Sequence, residues 1–588
     1  MKKLTQVGIL LLCYSFTIFA GVPVTKTRNP SLPYFMERTN FQTILLNVYG
    51  NNISGVFPDQ YGDLNWNPAY VLTGSENGMY IDFNYQSIGT SNYGYYNSSS
   101  YEDVSPKWYG NTYVNSLQLQ PLFNFALIQK INDKLTIGII NRSIFDYGPF
   151  RSTSNSWYYS NSLSSIEYDS RAYEDLELKT VEVDDNQQSV WGTQTEFTLG
   201  YNLSPKIDIG MKLGHYIFRQ SGDLYDSRYS KQPHSFIDEL SDEDFKINGD
   251  QYEIGAGLIY HLDDKTNLGL YLSLMKGNSS ENNLAIDNSD NWSETPTNKD
   301  YYSIREYDLE SNYSFSSDGT SPFLTLTFEK EFSTKLSARS FFSFKRSNKE
   351  ITSSINSTYT SYSDRTYDYY FSDNYYFRRN ETFQQAVSSL AGSGNEISEN
   401  YKWFASLIYK PENTWSAFAA IMVQYQTKEI DLSENSSYKR NSYTESFLFN
   451  PSTFNSFQSH TKIYDYNYNY NLWSAIIPVG IKAHVYGGFS FLIGTDLQFN
   501  LMNIKESGDL LYPIRIRRIT ENGVVTLDDI EENRPETYSS DRPTEFSKTS
   551  AIHFGAYYEH CSGIKVYVKT EGDIFNKSFW TFGLAYNY

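Results

Sequence analysis

The sequence predicts an all-β fold: a transmembrane antiparallel β-barrel of about 14–16 strands, with short periplasmic turns, long extracellular loops and an N-terminal plug or hatch segment. Three observations predict it. First, the chain ends on an alternating stretch in which Trp580, Phe582, Leu584, Tyr586 and Tyr588 share one face and Thr581, Gly583, Ala585 and Asn587 the other. Period-two alternation marks a strand that meets two different media. Second, the same alternation recurs from Met79 onward in pairs of stretches, each pair joined by a few turn residues and separated from the next by a long polar connection. Third, beyond the first 20 residues no apolar run reaches the ~18 residues a membrane helix needs, whereas a barrel strand needs only about 9–11 residues with every second one apolar. The 53 Tyr and 38 Phe supply strand formers and interface aromatics.

Taken in order, the chain opens on Lys2 and Lys3, a mostly apolar stretch over 4–19, and Ala20 before Gly21. This reads as a secretory signal peptide over 1–20. Cys13 invites a lipoprotein reading, but Leu12 is too large for the residue that precedes a lipidated cysteine, so lipidation is not expected. Residues 21–78 carry prolines at 23, 30, 33, 58 and 68 and lack the alternating pattern; they are read as a periplasmic or plug segment, and 79–588 as the barrel.

The barrel strands then come in hairpins. Phe123, Phe125 and Leu127 lead to the turn 132–134, and Leu135, Ile137 and Ile139 lead away. Equivalent pairs flank the turns at 204–206, 263–265, 331–335, 410–413, 486–488 and 561–563. The long connections cover roughly 86–113, 148–192, 219–250, 276–320, 347–400, 427–469 and 502–548. A soluble domain avoids many irregular loops of such length, and transmembrane barrels treat their two ends in this unequal way. One long connection shows internal order: Asn522-Gly523 lies between alternating runs, the strongest short hairpin signal. A two-residue turn there sets Arg517 opposite Asp528 and Arg515 opposite Ile530, and an extracellular hairpin with an Arg517–Asp528 pair is expected.

The stretch 61–72, with Asp63, Trp66 and Asn67-Pro68-Ala69, resembles the segment just before the first strand in the FadL-like outer-membrane transporters of hydrophobic compounds. Tyr70 departs from the glycine common there. The resemblance covers about a dozen residues; in any fold the same Asn-Pro dipeptide would mark a turn. It implies a barrel with an apolar pocket, no cofactor and no energy source, and places Trp66, Asn67, Pro68 and Ala69 at a hatch–barrel junction. The terminal strand likewise resembles the barrel-closing strand of outer-membrane barrels, which pairs with the first strand.

The net charge of −20 argues against nucleic acid as a partner. Only Cys561 remains after residues 1–20, so no internal disulfide is available. There is no Gly-x-Ser-x-Gly, His-Glu-x-x-His or Cys-x-x-Cys, and the histidines are scattered; no catalytic residue, metal ligand or cofactor site is expected. The acidic runs 239–244 and 528–532 read as solvated loop charge. The expected partners are outer-membrane lipid, a small hydrophobic ligand and the barrel-insertion machinery, in the bacterial outer membrane. Passive transport of small hydrophobic molecules is the first functional expectation. The alternative is a surface-binding or scaffold protein acting through its large loops, and the third is a diffusion porin, against which stand inward faces read as largely Gly, Ser, Thr and Asn.

Overall fold

The computed structural model describes Phe41, Thr43, Gly55 and residues 57–73, 77–84, 123–149, 164–167, 179–232, 235–294, 301–371, 374–412, 414–447, 451–541, 544–571 and 580–587. The expected signal peptide, Cys13 and Tyr588 lie outside them. Two short 3-10 turns, Gly62–Asn65 and Pro68–Leu72, precede the strands. Eighteen strands follow: β1 (Gly78–Asn84), β2 (Phe123–Lys130), β3 (Leu135–Pro149), β4 (Ser164–Glu167), β5 (Lys179–Ser204), β6 (Ile207–Gln232), β7 (Ser235–Asp263), β8 (Thr266–Glu294) and β9 (Tyr301–Ser333) make the first half. The second half is β10 (Leu336–Phe371), β11 (Asn374–Glu412), β12 (Trp415–Phe447), β13 (Pro451–Tyr486), β14 (Phe489–Glu521), β15 (Val524–Asp541), β16 (Glu545–Glu559), β17 (Ile564–Glu571) and β18 (Trp580–Asn587).

The sheet is a closed antiparallel ring. β18 pairs with β17 on one edge and with β1 on the other, and β1 pairs with β2. β4 rides on β5 and β15 on β14, while β3 pairs directly with β5 and β14 directly with β16. Sixteen of the eighteen strands therefore make the ring. At the level of the ring the described strands close without an open edge, which hydrocarbon requires.

Near the short turns the two faces differ sharply. On β8, Leu268, Leu270, Leu272 and Leu274 point outward and are exposed, while Tyr271, Ser273 and Met275 point inward and are buried. On β7, Leu258 and Ile254 are exposed and Ile259 is buried. This outward apolar band is bounded by aromatic side chains. Tyr401, Tyr425 and Trp473 stack along β11, β12 and β13 at its upper limit, with ring centroids 6.2 Å and 4.4 Å apart. Tyr409 meets Trp415 at 5.8 Å and Phe489 meets Tyr558 at 4.7 Å beside the short turns. Two aromatic girdles around an apolar belt are the outer face of a transmembrane barrel.

The long polar connections are where the structure departs most from the sequence reading. They are not loops. The strands run on through them, so that β10 has 36 residues and β11 has 39. At ~3.3 Å per residue β10 extends for about 120 Å along its own path, several times what the membrane needs. Ladder pairing continues to the tips, Phe371 opposite Asn374, and small hydroxyls pair across it, Ser316 with Thr352 at 2.6 Å and Ser389 with Ser437 at 2.8 Å. Above the belt the outer face is mostly polar and the inner face mixes polar with apolar side chains, so the period-two contrast that reveals a strand weakens in the sequence although the strand continues. Inside this upper wall Phe315, Ile351, Ile430, Leu432, Tyr468 and Ile504 form an apolar cluster.

The hairpin centred on Asn522-Gly523 stands at this long end. Asn522 and Gly523 have φ of 48° and 80°, the left-handed backbone that a two-residue turn of this kind requires. The expected register needs correction. Ile519 pairs with Leu527 but Thr520 with Val525, so Thr526 is bulged out and every later pair shifts by one residue. Arg518, not Arg517, faces Asp528; Arg517 faces Asp529, and Arg515 faces Glu531 rather than Ile530.

Candidate functional site

The segment from Phe57 to Thr73 lies against the inner face of the ring near the short turns. Asn67 is its anchor. Its backbone is extended (φ −159°, ψ 123°), and its side chain caps the turn Pro68–Leu72 by accepting from the Ala69 amide at 3.0 Å. Pro68 sits at the first position of that turn, where its missing N–H costs nothing. The same Asn67 side chain donates from Nδ2 to two wall carbonyls, Leu258 O at 3.0 Å and Leu270 O at 3.2 Å. One residue thus fixes both the shape of the turn and its place on β7 and β8.

The wall is shaped to receive it. Gly200 pairs with Gly210 and Gly210 with Gly257, a row of inward glycines across β5, β6 and β7. A Cβ at Gly257 would lie 2.0 Å from Asn67 Oδ1, and one at Gly210 would lie 2.3 Å from the Ala69 amide nitrogen. Any larger residue there would expel the turn.

Other contacts carry the segment across the lumen. Trp66 meets Phe341 of β10 and Phe404 of β11 edge-on, each at 5.5 Å, and Lys402 Nζ lies 5.5 Å above its ring. Phe57 meets Phe418 of β12 at 6.1 Å, Tyr61 meets Tyr80 of β1 at 5.6 Å, and the Tyr70 hydroxyl bonds Thr327 of β9 at 3.0 Å. Points of attachment on β1, β7, β9, β10 and β12 surround the segment, and Leu64, Ala69 and Val71 are fully buried.

A buried ion pair ties the segment to the wall. Arg339 of β10 donates to both oxygens of Asp63, Nη1 to Oδ1 at 3.1 Å and Nη2 to Oδ2 at 2.9 Å, and to Gly55 O at 3.2 Å. It also grips Glu329 of β9, from Nε at 2.7 Å and from Nη2. One guanidinium therefore serves two carboxylates, one on the wall and one on the segment. Burial pushes Asp63 up to about 7, against the lowering pull of Arg339. Burial raises Asp59 as well; its carboxylate accepts from the Tyr61 and Gly62 amides at 2.9 Å and 3.0 Å and so closes the loop that leads into the first turn.

Beside the glycine row is a second buried network, between wall strands. Glu196 of β5 contacts Arg142 of β3 and receives Lys212 Nζ of β6 at 2.6 Å. Glu253 of β7 accepts from the hydroxyl of Tyr271 at 2.6 Å and contacts that of Tyr216. All four charged groups are buried and their charges sum to zero. The sequence reading had the inward face as largely Gly, Ser, Thr and Asn; this network adds buried charge to it.

Of the residues singled out from sequence, Trp66, Asn67, Pro68 and Ala69 meet the wall together. Arg517, Asn522, Gly523 and Asp528 sit at the far, long end and take no part in this site. Phe582, Leu584 and Tyr586 lie on β18, where Phe582 pairs with Phe83 of β1. Sequence reasoning missed Arg339, Glu329, the glycine row and the four-charge network. Their signal was parity: Glu196, Lys212 and Glu253 alternate with the outward apolar residues, and glycine inside a strand marks a close approach.

No family model and no curated protein matches the chain. Among solved structures it is similar to a Pseudomonas aeruginosa FadL homologue, with 11% identity, a TM-score of 0.28, and coverage of 91% of this chain and 96% of that one. It is also similar to the CymD monoaromatic hydrocarbon channel, with 11% identity, a TM-score of 0.26, and coverage of 68% of this chain and 96% of that one. A third similarity is to a mutant of the ferric enterobactin receptor PfeA from Pseudomonas aeruginosa, at 7% identity, a TM-score of 0.25, and coverage of 88% and 81%. Superpositions this loose carry no residue or role across; the site rests on the contacts of this chain.

Proposed function

We propose that the protein is an outer-membrane channel for passive uptake of small hydrophobic molecules, gated by its N-terminal segment. The observation that supports this reading is the seat of Phe57–Thr73. The segment is held at separate points around the ring by polar and aromatic contacts, on a wall whose glycines leave room for it. A segment that leaves and returns needs specific contacts that reset its position, and the Arg339 clamp and the Asn67 bonds are of that kind. Release would open a path from the long end to the short-turn end, and no energy source or cofactor is required.

The test is uptake of the hydrophobic dye N-phenyl-1-naphthylamine into vesicles holding the refolded full chain. Uptake should be slow for the wild type, faster for Gly257→Leu, which displaces Asn67 and Pro68, and saturable. Uptake equal to that of protein-free vesicles for both chains would sink the proposal. A second reading, a surface-binding protein, is favoured by one observation: the strands continue far above the apolar belt, more wall than transport needs.

A further inference from the structure

The short-turn rim repeats one device. In four successive hairpins of the ring the turn ends on a lysine whose amide is held by a side chain two residues earlier. Lys134 N donates to Asn132 Oδ1 at 2.9 Å, Lys206 N to Ser204 Oγ at 3.3 Å, Lys265 N to Asp263 Oδ1 at 2.8 Å and Lys335 N to Ser333 Oγ at 3.3 Å. The carbonyl of each lysine accepts from the next strand round the ring: Asn202 N on Lys134 O, His261 N on Lys206 O, Glu331 N on Lys265 O and Lys410 N on Lys335 O. The four side chains therefore stand in equivalent positions along one arc, all exposed. Two antiparallel neighbours lie ~4.8 Å apart, so successive lysines are separated by roughly 10 Å, the scale of one lipid headgroup. The turns at 487–488 and 561–563, on the rest of the ring, carry none.

Directly above Lys265 and Lys335, on the lipid-facing side, the wall has an apolar recess of about 430 Å³. Leu258, Leu268, Leu270, Leu326, Phe342 and Trp403 line it. The Trp403 indole is pinned at its side by donating to Ser340 Oγ at 3.1 Å. Leu268 is three residues from Lys265, so the recess begins where the turn ends. Anions share this rim: Asp263 is used inside its own turn, also receiving Thr266 Oγ1 at 3.2 Å, Asp133 is paired with Lys130 at 3.3 Å, and Asp264 and Glu331 are exposed. Lys330 adds to the cations on β9, whereas Lys410 of β11 lies over the Phe57 ring and belongs to the lumen.

We infer that this arc is a phospholipid seat, with a phosphodiester headgroup between Lys265 and Lys335 and an acyl chain of the same molecule in the recess. Continuity with the membrane belt decides the occupant. The recess opens to hydrocarbon, and its one charged border is the rim where the headgroups of that leaflet lie. Lysine suits this position because its stem follows the apolar wall while the ammonium reaches the interface. The seat is on the outside of the ring and is independent of the lumen and its segment.

The experiment uses the full chain in dodecyl maltoside, titrated with dioleoyl-phosphatidylglycerol and followed by native mass spectrometry. Wild type should retain lipid, and the Lys206→Gln/Lys265→Gln/Lys335→Gln variant should bind more weakly by ~5-fold for each lysine that reaches a headgroup. The matching triple Arg variant should bind as wild type. Leu326→Trp, which fills the recess and leaves the rim intact, should also weaken binding. The contacts that hold the turns use the backbone of each lysine and not its side chain, so the Gln variant should keep the wild-type circular dichroism spectrum. Equal lipid retention by wild type and the Gln variant would overturn the inference. So would equal binding of dioleoylglycerol, which has the chains but no phosphate.

Discussion

Two arginine–aspartate pairs in this chain have nearly the same geometry and opposite surroundings. Arg339 meets Asp63 through two contacts of 3.1 Å and 2.9 Å, and Arg518 meets Asp528 through two of 3.1 Å and 3.0 Å. The first pair has side chains 4% and 8% exposed, the second 49% and 42%. Water decides what each is worth. At the tip of the β14–β15 hairpin solvent screens both charges. Inside the ring neither charge has water, so each depends on the other. Arg339 also holds Glu329, so its loss would strand two carboxylates. The same contact is ornament in one region and clamp in the other.

This difference can be broken or sharpened by substitution. The largest effect is expected for Arg339→Ala, which leaves buried Asp63 and half-buried Glu329 without their counter-charge and should weaken docking of the segment by about 3–5 kcal/mol. Hydrogen exchange of residues 57–73 should accelerate accordingly while the wall strands stay protected. Gly257→Leu should follow, since overpacking a tight contact costs about 1–3 kcal/mol and here the intruding atoms meet Asn67 itself. Asn67→Ala removes the cap and leaves Leu258 O and Leu270 O without that donor, for about 1–3 kcal/mol; the same exchange measurement should rank it near or below Gly257→Leu.

Acidity offers a further handle on the buried pair. The Asp63 carboxyl is raised to about 7 when docked, from an ordinary 3.8 when released. The docked state then holds a proton that the released state gives up, so docking is strongest at low pH, weakens as pH rises from about 4 to 7, and levels off above 7. Protection of 57–73 should follow that curve in the wild type. In Asp63→Asn the Asp63 part of the slope should vanish; a slope left unchanged would assign the titration to another group. The smallest effect belongs to Arg518→Ala, at ~0.2–1 kcal/mol; the thermal midpoint of the barrel should not move measurably.

The contrast also explains what could be read from the sequence. Every hairpin with an apolar outer face was legible, from Phe123 to Leu127 through to the terminal strand, because two unlike media impose alternation. The walls above the belt were read as loops because water lies on the outside and the inside mixes polar side chains with a few apolar ones such as Ile351 and Ile430, so the alternation is too weak to read. The turn at Asn522-Gly523 was legible as chemistry, but the bulge at Thr526 was not, since no residue type demands it. For the site, the Asn67-Pro68-Ala69 stretch stood out locally. Its partners did not: Gly257, Glu329 and Arg339 are separated from it by roughly 190–270 residues, and only the closed ring brings them together.

The most direct measurement of the central claim is single-channel conductance of the full chain in a planar bilayer at pH 8, comparing wild type with Arg339→Ala. If the segment closes the lumen and the buried clamp holds it, the wild type is silent or nearly so and the variant shows frequent openings. If the two chains are equally silent, or the wild type already conducts in steady ohmic steps, the segment is not the gate.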